Sequence, residues 1–411
     1  MSGMRGRFML TTAIIVTACS EQPTAPAVGR SSLTGSRTAS DIVLTPASLE
    51  WQQQARDLVG TNALNPLAAG RLYAALSAAE YRAVMAIDDA DQDGIITDEG
   101  IGAGGRAALE AHRGAVAGAS AQVLTFFFPA SAASFEQLVQ SEADADRGNV
   151  HPKFTRGLSI GRAIGDEVVE RARNDHFTVP FTGSIPVGPG LWIPAGPPAG
   201  ATLSGMRRYY LTSADEFRPP PPPAFGSQDY LAALQEIRTI SDTRTADQRA
   251  IALQWNYGNG TFTPPGYWDL VTANYIETHG LDERAATHAF ALTTTAMMDA
   301  FIGCFDAKYH YSFIRPRQAD PMITTVFPTP NHPSYPSGHS CASASAAAVL
   351  SYLFPDRADE VAGWVVEAGL SRMYAGIHYR FDIEAGQTLG QNVGNLAVNV
   401  DRNSGLLAAL R

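Results

Sequence analysis

Apolar residues recur at helical spacing along most of the chain, and strand-like alternation is rare and short. The predicted helices are residues 67–85, 106–124, 154–173, 228–240, 246–255, 267–278, 282–314, 338–353, 357–370 and 378–398. This pattern predicts an all-α fold made of two packed helical bundles.

Residues 176–225 interrupt the helical pattern with many glycines and prolines and end in five consecutive prolines. Such a stretch is typical of an ordered excursion or a rigid strap rather than a helix. We therefore expect an N-terminal helical region, residues 41–225, which includes this excursion. A C-terminal helical bundle, residues 226–411, carries the candidate site described below.

The first 40 residues are typical of an export signal and a tether. An apolar run over residues 8–18 follows two arginines, and it is too short to span a bilayer. The segment that ends at Cys19 resembles a bacterial lipobox, which predicts a lipoprotein signal peptide over residues 1–19. The alternative is a plain secretory signal with an incidental cysteine. Residues 20–40 predict a flexible tether.

Ser20 after the lipidated cysteine favours a lipid-anchored protein of the bacterial cell envelope. The outer membrane is the expected destination, with the protein facing the periplasm or exported. No other segment has 18 uninterrupted apolar residues, so the anchor is the only expected contact with the membrane.

Composition narrows the possible partners. The chain has 411 residues, of which 45% are hydrophobic, enough for a large globular core. Its formal net charge of -10 and pI of about 5.4 argue against nucleic acid as a partner. An anion would have to bind at a local cluster of cations.

Two minor features remain open at this point. Cys304 and Cys341 could form a disulfide in an oxidising compartment, but their apolar helical surroundings favour buried free thiols. Asp89, Asp91 and Asp93 match the first half of an EF-hand loop that could bind calcium weakly. The glutamate expected at position 12 is missing, which favours a solvated acidic turn between helices.

Three stretches carry the candidate chemistry. In the first, Lys308 and Arg315 are seven residues apart, so a continuous helix would place them on one face. Pro316 disfavours helical conformation at Arg315, which predicts that the arginine lies at the helix end and reaches into a cleft.

The second stretch, PSGH, precedes an apolar helix. Ser337 is a suitable N-cap, and Gly338 lets a ligand approach the backbone, with His339 next to it. Exposed N–H groups at a helix N-terminus favour an anion.

The third stretch runs from Ser371 to Asp382. A continuous helix would point Arg372 and His378 roughly 240° apart, so they converge only if the helix breaks near Gly376. Asp382 could then hold the His378 imidazole in one tautomer, or pair with an arginine. The alternative for this stretch alone is a surface salt-bridge cluster.

Together the stretches supply three cations, backbone and hydroxyl donors and two histidines. This set suits a tetrahedral oxyanion with more than one negative charge. One histidine can bind or attack the central atom while the other moves a proton.

The full pattern is Lys-x6-Arg-Pro, then Pro-Ser-Gly-His, then Ser-Arg-x5-His-x3-Asp. It resembles the signature shared by type 2 phosphatidic acid phosphatases and vanadium-dependent haloperoxidases. The resemblance covers about 75 residues and fills every fixed position. The matching positions are Lys308, Arg315, Pro316, Pro336, Ser337, Gly338, His339, Ser371, Arg372, His378 and Asp382.

The resemblance implies two possible reactions at one site. In the phosphatases, the histidine that matches His378 attacks phosphorus and the one that matches His339 protonates the leaving group. In the haloperoxidases, the former is the axial ligand of vanadium and the latter is an acid–base for peroxide. There the matches of Lys308, Arg315, Ser337, Gly338 and Arg372 hold the vanadate oxygens.

The haloperoxidase branch of this family is favoured over an acid phosphatase and over a catalytically silent binding lipoprotein. The sequence around His378, GIHYRFD, is close to the haloperoxidase form. The long helical N-terminal half and the lack of membrane spans also differ from most phosphatases. This implies vanadate as cofactor, hydrogen peroxide and halide as substrates, and an unknown organic acceptor. It leaves the oligomeric state open, with a homodimer as one option.

Flanking residues are assigned structural roles. His310 and His332 could line the pocket, but a structural or surface role is favoured for each. Four aromatic residues are expected in the pocket wall and core: Tyr309, Tyr311, Phe313 and Tyr335.

Overall fold

The computed structural model describes residues 45–92, 106–144 and 152–410. Within these ranges the protein is all-α and has no strand, only two isolated β-bridges, which confirms the predicted fold class. The leader, Cys19 and the tether lie outside the described residues. No described helix is both long and apolar enough to cross a membrane.

The described residues form fourteen helices. They are α1 (Ala47–Thr61), α2 (Pro66–Gln92), α3 (Arg106–Phe127), α4 (Ala132–Asp144), α5 (Pro152–Arg173), α6 (Gln228–Thr243), α7 (Ala246–Gln254), α8 (Thr263–His279), α9 (Glu283–Tyr311), α10 (Pro316–Ala319), α11 (Gly338–Leu353), α12 (Ala358–Tyr374), α13 (Arg380–Ser404) and α14 (Leu406–Leu410). All ten predicted helices are present, nine of them with shifted ends, whereas α1, α4, α10 and α14 were not predicted.

The long helix α9 is the centre of the fold, and most of its residues are buried. The Asp282 side chain caps its start by accepting from Ala285 N at 2.9 Å. Helix α9 packs against α2, α8, α11 and α13. The buried carboxylate of Glu283 accepts from Ala47 N and Ser48 N, which fixes α1 on the start of α9.

Close helix packing positions the elements that carry the candidate site. Helices α11 and α13 approach so closely that a Cβ at Gly386 would lie 2.7 Å from Ser337 O. One apolar core lies wholly among α1–α5, and others combine α2 with α9, α11 and α13. The division into two bundles stays a prediction.

The Pro/Gly-rich excursion, residues 176–225, is irregular apart from a 3₁₀ turn at Leu203–Gly205, in agreement with the sequence. Tyrosine hydroxyls from the candidate motifs hold its proline-rich end. Tyr311 donates to Pro219 O at 2.7 Å and Tyr335 donates to Pro220 O at 2.6 Å. The excursion therefore packs directly on the elements that carry the site.

The proposed acidic turn does not begin at Asp89. Helix α2 continues through Gln92, so Asp89 and Asp91 are helical, and Asp93 lies outside the described residues. Among the described residues no cluster of three acidic, histidine or cysteine side chains could hold a metal ion. The calcium site stays a prediction. Cys304 and Cys341 are buried free thiols.

Candidate active site

Helix α9 carries Lys308 but not Arg315. It ends at Tyr311 because Ser312 adopts a left-handed conformation, with φ of 45°. Arg315 then caps the short helix α10, which begins at Pro316. The expectation that Arg315 lies at the end of this helix needs correction, since α9 ends four residues earlier and the chain turns between Lys308 and Arg315. The turn still brings both side chains into one buried region.

Lys308 is fully buried at the end of α9. Its ammonium group donates to Pro333 O at 2.9 Å, to Ser334 O at 3.0 Å and also to Pro336 O. Burial lowers the pKa of Lys308 to about 8, so the group remains a cation near neutral pH. Its three carbonyl contacts fix the loop that leads into α11.

The Arg315 guanidinium, also fully buried, lies between two imidazoles. One terminal nitrogen is 3.1 Å from Nε2 of His378, and the other is 3.0 Å from Nδ1 of His332. The group also donates to Ile377 O at 2.8 Å and to His332 O at 2.9 Å. Burial lowers the pKa of Arg315 from its usual value, but the guanidinium stays protonated near neutrality.

Asp382 orients His378, which decides between the two roles left open by the sequence. One carboxylate oxygen accepts from His378 Nδ1 at 2.8 Å, from Ser334 Oγ at 2.6 Å and from Tyr379 N at 3.1 Å. The proton of His378 therefore lies on Nδ1. The lone pair of Nε2 faces Arg315. Nε2 is therefore the atom that can bind or attack an electrophile.

Burial controls the charge of this pair. It lowers the pKa of His378 well below the usual range, and the nearby Arg315 and Lys308 lower it further. Burial raises the pKa of Asp382 to about 6, so the carboxylate is ionised at neutral pH. The pair is a neutral imidazole held by a carboxylate, the state that a ligand or nucleophile requires.

The break between α12 and α13 is at Gly376, as predicted. Gly376 has φ of 76°, and a Cβ there would lie 2.7 Å from Thr324 O. Helix α12 continues to Tyr374, past its predicted end, and α13 begins at Arg380. The alternative of a surface salt-bridge cluster is wrong, because Arg372 is 1% and His378 is 3% exposed.

The N-terminus of α11 contributes donors. The Ser337 hydroxyl accepts from Ser340 N at 3.4 Å, and Ser337 N donates to Asp382 O at 2.8 Å, which ties α11 to α13. A Cβ added at Gly338 would meet no atom within 4 Å. Open space therefore lies beside the first turn of α11, where unpaired N–H groups favour an anion.

His339 and Arg372 form the other side of the site. His339 Nε2 lies 3.0 Å from Trp255 O and donates to it, which leaves Nδ1 as the acceptor. The pKa of His339 is well below the usual range. Burial is the larger cause, and the charge of Arg372 is the second. Arg372 donates to Ser371 Oγ at 2.9 Å and to Ala252 O at 3.2 Å.

The three buried cations have no carboxylate partner within the described part of the chain. Among the described residues, no carboxylate lies within ion-pair distance of Lys308, Arg315 or Arg372. Four other buried arginines each contact a carboxylate: Arg56 with Asp269, Arg71 with Asp175, Arg82 with Glu167, and Arg113 with Glu110. Because buried charges are normally paired, this arrangement indicates a site for a bound anion.

Two neighbours were not identified as site residues from the sequence. His332, assigned a structural role, contacts Arg315 and packs on Phe305 with ring centroids 5.1 Å apart. Its only sequence signal is its position shortly before the PSGH motif. The Trp255 contact uses a backbone carbonyl, for which no sequence signal exists. His310 is exposed and packs on Tyr311, in agreement with its assigned surface role.

Comparison with known proteins matches the region that carries these residues. Residues 285–405 match the PAP2 superfamily model. A non-specific acid phosphatase from Salmonella typhi is 48% identical over 59 residues, which are 14% of this chain and 23% of the relative. The chain thus spans about a quarter of the length of the first curated relatives that it matches.

Solved structures match over a much larger part of the chain. A bacterial vanadium-dependent iodoperoxidase is 25% identical with a TM-score of 0.70, covering 86% of this chain and 95% of that one. The apo form of a bacterial vanadium-dependent chloroperoxidase is 14% identical with a TM-score of 0.65, covering 84% and 96%. The latter shows the fold alone. The predicted resemblance to bacterial haloperoxidases of the PAP2 superfamily is confirmed, and an enzyme of this superfamily is supported.

Proposed function

We propose that the protein is a vanadate-dependent haloperoxidase that oxidises halide with hydrogen peroxide to a hypohalous-acid-like halogenating species. The observation that carries the proposal is the set of three buried cations, which have no carboxylate partner among the residues that the structure describes, next to the Nε2 lone pair of His378. The similarity to the bacterial iodoperoxidase, which covers 86% of this chain, supports this branch over a phosphatase.

The residues fit vanadate, a tetrahedral oxyanion. Lys308, Arg315 and Arg372 would balance its charge, and the open space at Gly338 would accept an oxygen beside the start of α11. Ser337 would contribute at the same helix end, and His378 Nε2 would be the protein ligand. When bound, vanadate would supply an electrophilic centre that activates hydrogen peroxide.

The contacts of the chain assign a task to each histidine. His378 must exchange its contact with Arg315 for the anion, while Asp382 keeps the proton on Nδ1. His339 is held by Trp255 O through Nε2, so its Nδ1 is the position that can accept and return a proton. Its lowered pKa keeps it neutral, and thus able to act as a base, at neutral pH.

An acid phosphatase is the second candidate because the curated relatives that match the motif region are acid phosphatases. The same residues would serve, with His378 Nε2 as nucleophile and His339 as general acid. Since both reactions need the same cradle for a tetrahedral anion, the two proposals differ in the reaction and share the site.

Two assays on one preparation distinguish these enzymes. The protein is incubated with orthovanadate and then given hydrogen peroxide, bromide or iodide, and a dione reporter. We expect halogenation in proportion to bound vanadate, with phosphate as a competitor. Aryl phosphate hydrolysis is measured in parallel without vanadate. Phosphate-ester turnover without vanadate-dependent halogenation would replace the haloperoxidase proposal by the phosphatase.

Three histidine variants test the assigned roles. His378→Ala should abolish halogenation because it removes the only protein ligand. His339→Ala should lower turnover by about 10²–10⁴-fold and change vanadate affinity much less, since it moves a proton. His310→Ala is the matched control, because His310 is exposed and should leave both values unchanged. Equal vanadate affinity in wild type and His378→Ala would contradict the assignment.

We also propose that the protein is anchored to the bacterial envelope by a lipid on Cys19, on the basis of the lipobox-like sequence alone. Cys19→Ser should leave the precursor unprocessed or release the protein from the membrane fraction. Metabolic labelling with a palmitate analogue tests this directly, and wild-type protein without incorporated label would refute the proposal.

A further inference from the structure

A cleft of about 670 Å³ opens next to the candidate active site. Arg315 lies at its inner end, and residues 325–331 form one side. The opposite side is residues 190–199 of the excursion, which we call the cleft wall. This volume lies within the range of about 300–1,000 Å³ that is typical of pockets for organic molecules, and it far exceeds the needs of halide or peroxide.

The cleft wall is fixed to the segment that carries Arg315. Trp192 N donates to Ser312 O at 2.7 Å, and Ile314 N donates to Gly190 O at 3.0 Å. These bonds pair the wall with the residues between α9 and α10. The wall is thus held at a defined distance from the buried guanidinium, as a specificity-determining surface requires.

The polar groups of the cleft are largely used to hold this wall. The Gln318 side chain accepts from Ile193 N at 3.3 Å and donates to Ile193 O at 2.5 Å. Asn331 likewise accepts from Ala195 N at 2.9 Å and donates to Pro197 O at 2.8 Å. Both amides face their partners across the cleft lining, so they contribute few hydrogen bonds to a ligand.

Apart from Arg317, Thr325 and Thr329, the side chains that remain for a ligand are apolar. Ile193 is 61% exposed although it is large and hydrophobic, and it lines the cleft together with Trp192 and Phe327. The Phe327 ring also lies 5.3 Å from the Arg372 guanidinium, which connects this surface to the cations of the site. The cleft therefore combines a cationic inner end with an apolar body.

We propose that the cleft binds the apolar, ring-bearing body of an organic substrate, with Ile193 as a specificity-determining contact. The inference rests on the proposed function in one respect: the polar head of the substrate uses the same cationic cradle. It applies to an organic acceptor of halogenation and to the alcohol part of a phosphate ester alike. The apolar body packs against Ile193 and Phe327 while the head lies towards Arg315.

The test compares two anions that share a phosphonate head group and differ in their apolar part, with inorganic phosphate as a reference. Isothermal titration calorimetry measures the binding of phenylphosphonate, methylphosphonate and inorganic phosphate to the unmodified protein. We expect phenylphosphonate to bind about tenfold more tightly than methylphosphonate, because the ring buries additional apolar surface in the cleft. This readout does not depend on which reaction the enzyme performs.

Two asparagine variants locate the contact. Ile193→Asn should lower the ratio of phenylphosphonate to methylphosphonate affinity at least about threefold and leave methylphosphonate binding unchanged. Val187→Asn is the matched control, because Val187 is 94% exposed on the same excursion and does not line the cleft. Its ratio should equal that of the wild type.

Each result has a distinct meaning. Equal affinity for the two phosphonates, or a ratio that Ile193→Asn leaves unchanged, would overturn this inference while the anion site and the proposed function stand. If none of the three anions binds to the folded protein, the proposed function fails and the inference fails with it. A ratio that falls equally in Val187→Asn would also overturn the assignment to Ile193.

Discussion

The charge of Lys308 gives the sharpest test of the anion site. Burial lowers the pKa of this lysine to about 8, and no carboxylate among the described residues pairs with it. An anion that needs the ammonium charge should therefore bind less tightly as the pH rises through this value. Sulfate is a suitable probe because it is a tetrahedral dianion with no titration of its own in this range.

The magnitude follows from the protonated fraction of the lysine. With a pKa of about 8, roughly nine-tenths of Lys308 is charged near pH 7 and roughly one-tenth near pH 9. The arginines stay protonated over this range. The dissociation constant for sulfate should rise about tenfold between about pH 7 and about pH 9, a change of about 1.4 kcal/mol.

The assay is calorimetric titration of sulfate at both pH values. Near pH 9, binding should also take up about one proton, which repetition in buffers of different ionisation enthalpy measures directly. Lys308→Arg is the control, since an arginine at this position stays charged and should remove most of the pH dependence. The same sulfate affinity at both pH values, without proton uptake, would refute the reasoning.

Three further outcomes are expected. Gly376→Ala should lower stability by about 1–3 kcal/mol, because φ is 76° and the new Cβ would meet Thr324 O; an unchanged melting temperature would contradict this. Asp382→Asn should lower turnover roughly 10–100-fold through His378 and change sulfate affinity much less, so unchanged turnover would exclude the positioning role. Burial raises the pKa of Glu142 from 4.5 to about 8, so the folded state binds the extra proton and stability should fall as pH rises from about 4.5 to about 8. Glu142→Gln should flatten that curve in denaturant titrations, and a curve like that of the wild type would count against it.

The identity of the chemical groups was readable in the sequence. Lys308, Arg315 and Arg372, with two histidines and PSGH at a helix start, specify an anion site wherever they meet, because charge and donor type belong to the residues themselves. The helical class was equally readable, since apolar periodicity is a local property. The break at Gly376 followed from the geometry that Arg372 and His378 need in order to converge.

Only the tertiary structure decided how these groups are used. The turn at Ser312 places Arg315 between His332 and His378. Periodicity alone extended the predicted helix to residue 314, beyond this turn. The choice of His378 rather than an arginine as the partner of Asp382 was decided by the 2.8 Å contact between the two side chains at the start of α13. The turn could not be predicted, because a single left-handed residue redirects the chain and leaves no periodic signal. For Asp382, the sequence left two partners open and could not choose between them.

Pairing of charges is likewise a property of the fold. The sequence contains more acidic than basic residues, and nothing in it shows that three cations end in a buried region without a carboxylate at contact distance. That outcome depends on which carboxylates the helices bring to the same place. Asp382 is the acid nearest to the site, and one of its carboxylate oxygens accepts from His378, Ser334 and Tyr379 N. The sequence thus determined which residues could bind an oxyanion. The packing of α9, α11, α12 and α13 left their charges uncompensated, and an uncompensated buried charge is what makes an anion bind.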